Sequence, residues 1–67
     1  MATTGIDVLD KMVEIRKELG WSMERTARYL DVSIATFQRW EYKKAEPNFK
    51  NTLKIQEFIE EYKEYLN

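Results

Sequence analysis

The residues best suited to chemistry lie in one short segment. Ser33, Ile34, Ala35, Thr36, Gln38 and Arg39 are short, neutral or donor-bearing side chains interleaved with two aromatics, Phe37 and Trp40, spaced i, i+3. On a helix that spacing turns the aromatics to one side and leaves the others to face outward. Such an outer face suits the major groove of a nucleic-acid duplex, where base edges present acceptors, donors and the thymine methyl. Other chemistries find little material here. With no His and no Cys, the common base–nucleophile pairs cannot be assembled. The usual soft or imidazole metal sites are missing too. No Gly-rich phosphate loop exists, so the chain reads as a non-enzyme with no cofactor and no metal.

The elements that would hold that segment are helices. Two Gly, one Pro and no clear alternation of apolar and polar residues favour helices joined by short turns. A first helix is expected from about Ile6 to Leu19, with Ile6, Leu9 and Val13 at helical spacing and Met12 beside them. Gly20 sits where a helix-ending Gly belongs. Ser22 can cap a second helix ending near Leu30, with Glu24 at the positive end of its dipole. Asp31 breaks that helix, and Ser33 caps a third from Ile34 to about Tyr42. Lys43 to Asn48 is a loop containing Pro47, and a last helix is expected from Asn48 or Phe49 to Leu66. Two short helices around a turn of three or four residues make a helix-turn-helix candidate. Ala27 is small enough for the two to approach closely.

Size and charge set further bounds. A chain of 67 residues is one domain, and near that length only roughly 60% of the unfolded chain's surface is buried. It is too small to enclose a sizeable substrate pocket. Residues 1–5 are small and polar and are expected to be disordered. They show no signal-peptide pattern, and no run is long enough to span a bilayer. A cytoplasmic, membrane-free protein is expected. The net charge is −1, which counts against nucleic acid, but its distribution matters more. Residues 1–32 carry five basic and six acidic side chains, and residues 49–67 three and four. Only residues 33–48 carry a basic excess, three against two.

From Ser22 to Pro47, SMERTARYLDVSIATFQRWEYKKAEP, the chain resembles the helix-turn-helix of the phage repressor/Cro-type family of transcriptional regulators. Ile15–Arg16 and Gly20-Trp21-Ser22 extend the likeness backward. Trp40-Glu41, the Lys-x-x-Pro loop and the apolar last helix extend it forward, so it covers about Met12 to Ile59. The resemblance implies an all-α, four- to five-helix lambda-repressor-like domain. It implies a partner, double-stranded DNA, bound by a homodimer acting as a repressor. It further implies base contacts from Ser33, Ile34, Ala35 and Arg39, with Thr36 and Gln38 flanking them. Arg39 would take guanine O6 and N7, while Ile34 and Ala35 would meet a thymine methyl. Backbone contacts are implied for Met23, at a helix N-terminus, and for Tyr42, Lys43 and Lys44. Arg16 and Glu41 are implied as a buried ion pair tying the first helix to the third. The sequence departs from the family's pattern at Asp31 and Lys43, where Gly is usual, at Thr26, where Leu is usual, and at Met23, where Gln is frequent.

Two alternatives stay open. Ala27 to Pro47 also resembles winged-helix readers of the mercury-regulator and excisionase type, which continue into a strand wing. A preceding full helix and a following helical pattern favour the repressor/Cro reading. A helix-turn-helix can also serve protein interaction, as in an antitoxin that clasps a protein partner through its C-terminal helix. Phe58, Ile59, Tyr62, Tyr65 and Leu66 on that helix either cover the first helix or form a dimer seam. Glu57, Glu60, Glu61 and Glu64 read as its solvated face.

Overall fold

The computed structural model describes residues 5–66, with side chains for residues 8–64. Residues 1–4, expected to be disordered, lie outside the described residues, and Gly5 is already the first residue of α1. Four helices follow in order: α1 Gly5–Leu19, α2 Met23–Leu30, α3 Ile34–Glu41 and α4 Phe49–Tyr62. A 3₁₀ helix, Lys63–Leu66, ends the fold. The last helix was expected to reach Leu66 as one element. It instead tightens into 3₁₀ after Tyr62, and that segment packs back on α1. Among the described residues there is no strand, so the wing of the excisionase-type alternative is missing. The all-α helix-turn-helix architecture is the one observed.

Each helix contributes an apolar stripe to one core. Val8, Leu9, Met12 and Ile15 do so from α1, Ala27 and Leu30 from α2, Phe37 and Trp40 from α3, and Ile55 and Phe58 from α4. The α1 stripe is turned slightly from the expected one: Met12 and Ile15 are fully buried and Val13 only half. α1 lies chiefly on α4, and the α2–α3 pair closes the other side. Thr26, standing where an apolar residue was usual, is fully buried. Its hydroxyl donates to the Ser22 carbonyl at 2.9 Å, so the polar atom is satisfied within its own helix. On α4, Phe49 (77% exposed) and Leu53 (44%) point outward rather than into the core.

Local rules set the helix ends. Ser22, Ser33 and Asn48 cap α2, α3 and α4, accepting from the backbone N–H groups of Arg25, Thr36 and Asn51. Side-chain oxygens there replace partners that the first helical turn lacks. The first three helices stop at a left-handed residue: Gly20 (φ 74°), Asp31 (φ 62°) and Lys43 (φ 61°). Around each, returning backbone bonds satisfy the last carbonyls, as in Trp21 N–H to Arg16 O, Val32 N–H to Ala27 O and Lys44 N–H to Arg39 O.

Candidate nucleic-acid interface

α3 is two turns long, roughly 12 Å. That is the reach of about three or four base steps at 3.4 Å each. Phe37 (0% exposed) and Trp40 (2%) anchor its inner side, with ring centroids 6.4 Å apart. Ile34, Ala35 and Arg39 are exposed, and Thr36 and Gln38 are half-buried. Ile34 with Gln38, and Ala35 with Arg39, are i, i+4 pairs and so share one face. Ile34 lines the elbow groove with residues of α2 and the turn, and Arg39 shares a shallow cleft with Thr36, Glu46, Asn48 and Asn51. Asn51 was not singled out in the sequence. Its nearness to Arg39 depends on how α4 leaves the loop, which no local pattern reports.

Ser33 is exposed but occupied. Its hydroxyl oxygen accepts from the Thr36 N–H at 3.1 Å, and its proton goes to the Thr36 hydroxyl at 2.9 Å. The pair starts α3 before any base is met. Met23 is half-buried and packs against the core, so its side chain is not free to face outward; Glu24 and Arg25 beside it are exposed. Tyr42 (62% exposed) and Lys44 are open to solvent. Lys43 is differently placed: its ammonium bonds Asp10 on α1, which engages part of its charge within the fold. Arg28 lines a groove at the α2–α3 elbow with Glu24, Asp31 and Ile34. Lys54 of α4 reaches across to the Leu30 carbonyl at 3.4 Å and lies 3.8 Å from the Asp31 carboxylate. It thereby sets a cation against the end of α2 and offsets the acidic residue of the turn.

Arg16 and Glu41 meet across the fold. The Arg16 Nε donates to Glu41 Oε2 at 2.7 Å and Nη2 to Oε1 at 3.3 Å, a two-pronged pair. Nη1 donates to the Trp21 carbonyl at 2.8 Å. The side chains are only 12% and 8% exposed. The pair fixes the end of α3 to α1 and to the turn before α2, which sets the pitch of the outer face.

Phe58, read either as cover for the first helix or as part of a dimer seam, is fully buried, which takes it out of a seam between copies. Its ring packs against Trp21 at 5.6 Å, Tyr29 at 5.4 Å and Tyr62 at 5.4 Å. It belongs to the chain's own core, where α4 packs on α1 and α2. Ile59 and Tyr62 are half-buried against the same core. The Tyr65 and Leu66 side chains lie outside the described residues.

No group of three or more Asp and Glu able to hold a metal ion occurs among the described residues. None of their helices is long and apolar enough to cross a membrane. A family model described as Helix-turn-helix matches residues 12–66. No curated protein and no solved structure matches.

Proposed function

The chain belongs to the Cro/C1-type helix-turn-helix family of DNA-binding regulators, and on that footing we propose that it is a sequence-specific repressor that reads a short duplex operator with α3. The observation that carries this reading is the outer face of α3, where Ile34, Ala35 and Arg39 are exposed above a buried Phe37 and Trp40. Arg39 takes guanine O6 and N7, Ile34 and Ala35 meet methyl groups, and Gln38 and Thr36 supply flanking donors. Ser33 serves first as the cap of α3. Tyr42, Lys44 and the first turn of α2 at Met23 hold phosphates, with Lys43 joining them only by leaving Asp10. Two copies bind half-sites about 34 Å apart, one turn of DNA. The protein acts in the cytoplasm, and no catalytic step is assigned to it.

Selection of bound sequences from a random duplex pool tests the reading. Recovery of a short twofold-symmetric motif is expected; an unenriched pool would overturn it. On the selected site Arg39→Ala should cost about 1–3 kcal/mol and relax one base position. Equal loss on random DNA would remove Arg39 from base reading.

A further inference from the structure

Tyr29, on α2, is 45% exposed and stands between two shallow grooves. On one side Trp21, Arg25, Arg28 and Tyr62 line a groove of about 390 Å³. On the other Leu53, Gln56, Glu57, Glu60 and Glu61 line one of about 550 Å³. Glu60 has a partner in Lys63, at 3.1 Å. Arg25, Arg28, Glu57 and Glu61 have no ion-pair partner among the described residues. Arg25 lies instead over the Trp21 ring, 4.3 Å from its centroid. Four charges without an ion-pair partner among the described residues are thus sorted by sign about one aromatic ridge, with the exposed Leu53 beside it.

A twofold contact brings whatever lies left of its axis against whatever lies right of it on the other copy. An axis along the Tyr29 ridge therefore sets the arginine groove on the glutamate groove, twice. Pairing α4 directly on α4 would instead oppose Glu57 and Glu61 to themselves, a like-charge contact. We propose that the chain pairs with a second copy of itself through a twofold contact centred on Tyr29, in which Arg25 and Arg28 of each copy meet Glu57 and Glu61 of the other. This names the seam of the homodimer read above and rests on that reading. Ile34, Ala35 and Arg39 line neither groove, although Arg28 also lines the elbow groove that Ile34 shares.

Sedimentation equilibrium of the full chain tests the seam. The wild type should dimerise, more weakly as salt rises. R25E/R28E and E57R/E61R should each weaken dimerisation about tenfold or more, because both grooves then carry one sign. An equimolar mixture of the two should dimerise again, since an all-acidic patch then faces an all-basic one. A wild type monomeric at every concentration overturns both the seam and the homodimer. A dimer that neither variant weakens, or a mixture no tighter than its components, overturns the seam alone. Should either reversal lose its helical signal, R25Q/R28Q and E57Q/E61Q replace them. A flattened salt dependence is then expected, and an unchanged one refutes the contact.

Discussion

Arg16 makes three hydrogen bonds, two to Glu41 and one to the Trp21 carbonyl. Removing one partner of such a nearly buried pair leaves the other charge without compensation, which is costlier than losing the attraction itself. Glu41→Ala should lower stability by roughly 2–3 kcal/mol in chemical denaturation, a large share for a domain this small. A change within about 0.5 kcal/mol would show that solvent already satisfies Arg16. Tyr29 gives a second test among single residues. Burial first, then the charges of Tyr62, Glu61 and Glu57, raises its phenol above the ordinary 10.0. The neutral form is favoured in the fold, so this contribution is complete below pH 10 and is lost as pH climbs through the raised value. In a spectrophotometric titration Tyr29 should contribute a late step, above its ordinary value. That late step should vanish in Y29F and move part of the way back in E57Q/E61Q; a late step surviving in Y29F would assign it elsewhere.

At the scale of elements, the three left-handed helix ends explain two departures from the family's pattern. Gly20 adopts φ 74° without a Cβ to clash, whereas Asp31 and Lys43 carry side chains into the same region. Asp31→Gly should raise stability by about 0.5–1 kcal/mol, after allowing for the freer unfolded chain. The midpoint of thermal unfolding should rise by a few degrees. The Asp31–Lys54 contact it removes is solvent-exposed on the Asp side, 92%, and exposed pairs contribute little. A lower melting point would show that Asp31 is needed for more than its backbone conformation.

Across the whole molecule, a net charge of −1 is reconciled with DNA by where the charges fall. The acidic run of α4 lies on the groove beside Tyr29, whereas exposed Arg39 and Lys44 belong to α3 and the loop after it. On the proposed reading, few phosphates are neutralised per copy. The slope of log affinity against log salt should be shallow, about −0.9 for each phosphate held. Lys44→Ala should flatten it by about one phosphate and weaken all sequences alike. A loss confined to the selected site would make Lys44 a base reader instead.

The helices themselves were legible in the sequence because their signals are local. Capping by Ser22 and Ser33, the stop at Gly20 and the i, i+3 pair Phe37 and Trp40 act within one or two turns, and α2 and α3 fall where those residues put them. The family was legible for the same reason, since its motif is a spacing. Other features depend on which helices come to lie together after the chain turns back. Phe58 enters the core, Leu53 and Phe49 turn out, and Asn51 comes beside Arg39. Lys43 reaches Asp10, and Arg25 and Arg28 gather opposite Glu57 and Glu61 across Tyr29. Periodicity says that a helix has an apolar face. Only packing between helices distant in sequence decides what that face meets and which charges become neighbours.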